Sequence, residues 1–192
     1  MNFNFKTLLF TIVAFSLLFS LATATSRIYA PAVDSNGIGI LTPVTVTAAP
    51  GTGRIRTDIQ NSLIAPETED SIRTAAIAAS KEAGVDLDDI DINVDIDSEA
   101  QLIDGPSGGM AFAIGIYNEL IHLRNASAQL LRSDLVVTGA ITEDGRSEKV
   151  GGVEEKLIAA NHSGVTLMLL ASGQRANDGL DYPVFAREIS NG

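Results

Sequence analysis

Between Met110 and Leu123 the chain is apolar on nearly every side: Ala111, Phe112, Ala113, Ile114, Ile116, Leu120 and Ile121 leave no broad polar face. A helix of that kind has to be enclosed by the rest of its domain, so the remaining elements must be arranged around it. Directly before it stands Asp104-Gly105-Pro106-Ser107-Gly108-Gly109. Earlier still, Ile90-Asp91-Ile92-Asn93-Val94-Asp95-Ile96-Asp97 alternates with the strict period of a half-buried strand. Strand, glycine-rich turn and buried helix together set Ser107 at a helix N-terminus, where unpaired N–H groups and the helix dipole favour negative charge. A serine so placed can attack a carbonyl while nearby N–H groups hold the oxyanion that forms. The same six residues also read as a plain helix start, with Ser107 as cap and the glycines serving close packing.

The remaining segments supply what would surround that helix. Residues 28–60 read as β, with a branched run Ile38–Val46 and a turn at Pro50-Gly51-Thr52-Gly53. Pro66-Glu67-Thr68-Glu69-Asp70 opens a helix that ends at Gly84, its acids in the first turn as the dipole prefers. Asp134–Thr138 reads as a strand and Glu143-Asp144-Gly145 as the turn of a hairpin returning toward Val150. Gly151-Gly152 precede a helix from Val153 to about His162, and Val165–Leu170 reads as a buried closing strand. Residues 172–192 are polar and weakly patterned. This order of elements gives an α+β domain in which small mixed sheets pack on helices.

Composition narrows the chemistry. A net charge of −11, with no basic run to offset it, argues against nucleic acid as a partner. Cysteine is absent, which removes disulfides, thiolate metal sites and a cysteine nucleophile. The two histidines, His122 and His162, are too few for a histidine-based metal cluster. The acidic face of Ile90–Asp97 lacks the glycine and glutamate of a calcium loop, since Val94 and Ala100 stand at those places. It reads as a solvated strand face, with a metal or basic-substrate surface as the other reading. No GxxxxGK[ST] occurs, so the sequence carries no P-loop ATPase module.

Residues 1–24 read as a leader. Lys6 precedes the uncharged Thr7–Ala24, and Ala22-Thr23-Ala24 fits the small-x-small cleavage pattern. The run is either a signal peptide cut after Ala24 or an uncleaved membrane anchor. Both readings place residues 25–192 outside the cytoplasm, secreted or held at the membrane. Asn125-Ala126-Ser127 and Asn161-His162-Ser163 are sequons that an exported chain could use.

Lys156 is the other residue that asks for a reason. On the helix after Gly152 it lies beside Val153, Ala159 and Ala160, at the edge of the apolar stripe. Burial lowers a lysine pKa, and a neutral amine can serve as a general base. The plainer reading is a snorkelling lysine that covers apolar surface. His122 lies about 22 Å down the helix from Ser107, too far to be its base.

Asp104–Gly109, then Thr138-Gly139, then Gly151-Gly152-Val153-Glu154-Glu155-Lys156 with Ala159-Ala160 and Gly164, together resemble the proteolytic domain of the Lon proteases over roughly residues 28–171. The resemblance implies a serine–lysine dyad, with Ser107 as nucleophile and Lys156 as base. It implies that Thr138 steadies the amine, and that Asp104, Gly105 and Gly108 flank the oxyanion site. It further implies a Lon-protease-like α+β fold, protein or peptide substrates, homo-oligomeric assembly, and no metal or cofactor. Departures are Ala140 in place of the glutamate after Thr-Gly, Glu148-Lys149 in place of Leu-Pro, and no recognisable final helix and strand after Ser172. Without an ATPase, the expected activity is ATP-independent cleavage of unfolded or flexible polypeptides.

Two rivals remain at this level. Gly105-Pro106-Ser107-Gly108-Gly109 satisfies the G-x-S-x-G elbow of an α/β-hydrolase esterase, with His162 as the available triad histidine. The second rival is an exported or anchored domain that binds peptides with a dormant dyad.

Overall fold

A computed structural model describes residues 25–60, 63–98, 102–129, 131–177 and 179–191. The expected leader at 1–24 lies outside the described residues. Among those residues no helix is long and apolar enough to cross a membrane.

A six-stranded mixed sheet forms the backbone of the domain, in the order β10-β7-β1-β2-β5-β3. Its strands are β1 (Ser26–Val33), β2 (Gly39–Pro50), β3 (Ile55–Gln60), β5 (Ile90–Asp97), β7 (Leu135–Thr138) and β10 (Leu167–Leu170). β1–β2 and β2–β5 run antiparallel, whereas β5–β3, β1–β7 and β7–β10 run parallel. The sheets are therefore not all small, as the sequence suggested. Among the described residues three satellites are two-stranded: β4 (Leu63–Ile64) with β6 (Leu102–Ile103), β8 (Ala140–Ile141) with β9 (Ser147–Glu148), and β11 (Ala176–Asn177) with β12 (Leu180–Asp181).

Helix α1 (Pro66–Ala83) begins with proline in its first turn and ends at Gly84 in the left-handed conformation. Gly84 N–H donates to Lys81 O at 3.2 Å and Val85 N–H to Ser80 O at 3.0 Å, closing the last turn as a Schellman-type end does. Helix α2 (Gly109–Arg124) is the apolar run and lies against α1, β1, β2 and β7. Ala111, Phe112, Ile116 and Leu120 of α2 share one core with Ile28, Val44, Val46, Ile92, Val94 and Ile96 of the sheet. Helix α3 (Val153–His162) contacts β1 and β2, and its Val153 and Leu157 join a second cluster with Tyr182, Met168 and Leu170.

On β5 the apolar residues are buried, Asp91 and Asp95 are half-exposed and Asp97 is exposed. The acidic face does more than meet water: the Asp91 carboxylate accepts from Thr52 N–H at 2.7 Å and Arg54 N–H at 3.0 Å. These bonds hold its pKa below the ordinary carboxylate range and pin the turn before β3.

Two expectations need correction. The strand near 165–170 is not buried but is an edge strand, with Leu167 and Leu169 at 36% and 37% exposure. Its apolar run could not say that only Met168 and Leu170 would be covered. The C-terminal segment is also structured: β11 and β12 form a hairpin, and α4 (Tyr182–Asn191) packs on α3. Tyr182, Phe185, Ala186 and Ile189 carry the i, i+3, i+4, i+7 spacing that makes this helix amphipathic.

Candidate active site

Ser107 sits in a single 3-10 turn, Pro106–Gly108, between β6 and α2, and is half-buried. Neither the turn nor α2 has a side-chain cap, so the hydroxyl is not spent on capping. The carbonyls of Gly105, Pro106 and Ser107 are each held from the protein side. Thr68 Oγ1 of α1 donates to Gly105 O at 3.2 Å, and Ser71 Oγ, one turn on, donates to Pro106 O at 3.3 Å. Ser107 O accepts from Gly139 N–H at 2.9 Å and from Thr138 Oγ1 at 3.3 Å. In a trans peptide the N–H points opposite its carbonyl, so these anchors turn the Ser107 and Gly108 N–H groups away from α1 and β7.

A close crossing fixes the start of α2. Met110 N–H donates to Gly139 O at 2.9 Å, completing a two-way backbone link between the serine turn and the end of β7. A Cβ at Gly109 would lie 2.9 Å from Ser71 Oγ and 3.1 Å from Ile141 N, so any side chain there would push α1 or β8 away.

Lys156 approaches from α3. Its side chain is almost wholly buried, at 3% exposure, and Nζ donates to Thr138 Oγ1 at 3.2 Å. The Thr138 hydroxyl passes its own proton to Ser107 O, so one hydroxyl bridges the amine and the serine peptide. Desolvation pushes the Lys156 pKa from its ordinary 10.5 down to about 8, only partly opposed by the neighbouring Glu155 carboxylate. The lysine is therefore buried at the site rather than snorkelling to water.

Beside Ser107 opens a pocket of about 130 Å³, with Gly105 and Gly108 on one wall and Val33, Ile40, Thr42 and Phe112 on the others. Asp104 is exposed at its rim. The β1–β2 hairpin thus supplies an apolar wall that sequence reasoning did not assign. Thr68 and Ser71 were also missed. Both are buried small polar residues of α1, and only the structure shows which carbonyls their hydroxyls meet.

The histidines lie elsewhere. His162 is exposed at the end of α3, in a depression with Gly39, Leu41 and Pro43. His122 is buried near the far end of α2, Nδ1 2.7 Å from Asn118 O and Nε2 2.9 Å from Ala128 O. Neither is drawn to Ser107, and the sheet mixes parallel with antiparallel pairs, so a hydrolase triad has no support here.

The matching family model is the Lon protease (S16) C-terminal proteolytic domain, over residues 32–184. The chain is 32% identical over 135 residues to the Lon protease of Methylocella silvestris, covering 69% of this chain and 16% of that protein. It is 32% identical over 152 residues to the Lon protease of Paraburkholderia phytofirmans, covering 78% of this chain and 18% of that one. Lon protease 1 of Thermus thermophilus matches at 30% over 135 residues, 69% of this chain and 16% of that protein. The match thus spans less than a fifth of the curated relatives' length and ends thirteen residues beyond Ala171, inside α4. On these grounds the chain belongs to the family of Lon protease C-terminal proteolytic domains.

Proposed function

We propose that this chain is a serine endopeptidase that cleaves unfolded or flexible polypeptides without ATP, outside the cytoplasm. The observation that carries the reading is the buried Lys156 amine held through Thr138 against the Ser107 peptide. Neutral Lys156 removes the Ser107 proton, and Oγ attacks the substrate carbonyl. The tetrahedral oxyanion is met by the outward-turned N–H groups of Ser107 and Gly108, dipoles already fixed by Ser71, Thr138 and Gly139. Lys156 returns the proton to the leaving amine, and water then releases the acyl group by the same steps in reverse. Export rests on the leader expected at 1–24, and ATP independence is proposed for residues 1–192 themselves, within which no nucleotide-binding loop occurs.

Cleavage of casein and of a fluorogenic peptide mixture by the purified chain, without ATP, tests this reading. Ser107→Ala and Lys156→Ala are each expected to lose at least a thousandfold in kcat, the scale of losing a nucleophile or its base. Lys156→Arg should be equally dead, because guanidinium does not give up its proton at working pH. Binding of peptides without cleavage, equal in wild type and Ser107→Ala, would favour a dormant domain instead. A tightly folded substrate should resist the chain.

A further inference from the structure

The ladder between β8 and β9 ends at Glu148, and α3 does not begin until Val153. Between them, one side-chain amide from the C-terminal segment holds the backbone. Val150 N–H donates to Gln174 Oε1 at 3.0 Å, and Gln174 Nε2 donates back to Val150 O. A primary amide offers the same donor–acceptor pair as a peptide, so Gln174 does for Val150 what a neighbouring strand would do.

The two residues after Val150 give this clamp its leverage. They are Gly151 and Gly152, and Gly152 sits at φ 67°, where only glycine rests without strain. Gly152 O then accepts from Lys156 N–H at 3.1 Å, the bond that closes the turn carrying the lysine. Two glycines therefore separate the backbone held by Gln174 from the turn that sets the depth of Lys156. Gln174 is itself anchored on the site, in a turn closed by Gln174 N–H to Ala171 O at 3.0 Å. That turn directly succeeds β10, whose Leu170 pairs with Thr138. Ser172 N–H donates to Ser147 Oγ at 2.9 Å and ties the same turn to the β8–β9 hairpin.

We propose that Gln174 is a positioning residue for Lys156: its amide fixes Val150, and through it the start of α3 and the seat of the lysine amine against Thr138. The proposal rests on the serine–lysine reading of the site for its effect on turnover, but not for its effect on the lysine itself. Loosening the start of α3 admits water to the amine and moves the lysine back toward its ordinary protonation. Glu155 is the charged neighbour that already favours the ammonium form, and it stays in place when Gln174 is replaced.

The test tracks the Cε–Nζ resonance of Lys156 through pH in the full chain, whose lysines are Lys6, Lys81, Lys149 and Lys156. Wild type is compared with Gln174→Ala and Gln174→Met, the second keeping length without the bonds. His122→Ala, far down α2, serves as a variant of lowered stability outside the site. Both Gln174 variants are expected to titrate Lys156 at higher pH. They should also shift the rising limb of kcat the same way and lose about tenfold in kcat at neutral pH with KM little changed. His122→Ala should lower Tm and leave both profiles in place. If Lys156 titrates at the wild-type pH in both Gln174 variants, the clamp does not position it. A wild-type chain with a depressed lysine that cleaves nothing would sink the protease reading and leave the clamp to be judged by the resonance alone.

Discussion

Lys156 shows at the residue scale what a functional group costs the fold. Burial holds the amine's pKa at about 8, whereas the unfolded chain keeps the proton up to 10.5. Between those values the unfolded state binds more protons, so stability rises with pH across that window, and below it the buried ammonium is a standing penalty. Lys156→Met, of similar length and without the charge, should therefore raise stability at pH 7 by on the order of 2–3 kcal/mol while abolishing cleavage. Urea unfolding at pH 7 and pH 10 checks it: the gain should shrink at the higher pH. If Lys156 is the base of the proposed dyad, kcat/KM should climb as pH rises through about 8 and the amine loses its proton. A flat profile from pH 6 to 9 would remove Lys156 as the base.

Helix α2 carries two polar sites of different kinds at the element scale. Its first end holds the serine turn in a cradle of Thr68, Ser71 and Gly139. Removing Ser71 Oγ leaves Pro106 O with only the Gly109 N–H as donor; Ser71→Ala should cost about 1 kcal/mol in denaturant unfolding and lower kcat more than it raises KM. Further down the helix, Glu119 is 2% exposed and accepts from the Ser26 hydroxyl of β1, while Asn118 Nδ2 donates to the same hydroxyl at 2.5 Å. Desolvation raises the Glu119 pKa, with the bond from Ser26 and the charge of His122 opposing it. A raised carboxyl pKa gives stability that is full at low pH and declines as pH rises above the ordinary carboxyl range. Glu119→Gln, which can still accept from Ser26, should therefore flatten that decline and raise Tm at pH 7 relative to pH 4.5. Turnover by Ser107 should be unchanged.

For the molecule as a whole, the C-terminal hairpin and α4 form the outer cover of the helix that carries Lys156. Tyr182, Phe185, Ala186 and Ile189 close the cluster that seats Val153 and Leu157 of α3, and Asn161 Nδ2 donates to Ile189 O at 2.9 Å. A chain cut after Ala171 should lose several degrees in Tm and more than tenfold in kcat, because the helix bearing Lys156 loses its outer cover. Circular dichroism melting and peptide turnover on the same sample test this. Undiminished turnover would show that the segment is an appendage. The same contact bears on the two sequons. Asn161 spends its amide on α4, whereas Asn125 is exposed and its Oδ1 accepts from Ser127 N–H at 3.1 Å. Passage through a glycosylating secretory route is therefore expected to modify Asn125 and spare Asn161, read as a single glycan mass on the intact chain.

What the sequence determined by itself was local and periodic. The strand Ile90–Asp97, the enclosed helix after Gly109 and the helix from Val153 come from spacing, because alternation and turn residues act within a few positions. The ordered trio of Asp104–Gly109, Thr138-Gly139 and Gly151–Lys156 was enough to give the family. Only the tertiary structure decided which apolar runs would be covered: β10 reads as a core strand and lies at the sheet edge, while Tyr182–Ile189 reads as polar and is half core. It also decided which polar groups meet. Thr68, Ser71 and Gln174 reach the site across dozens of residues, and nothing periodic marks such a partner. The protonation of Lys156 is of this second kind: a residue's charge depends on the water excluded around it, and that exclusion exists only once distant elements have closed together.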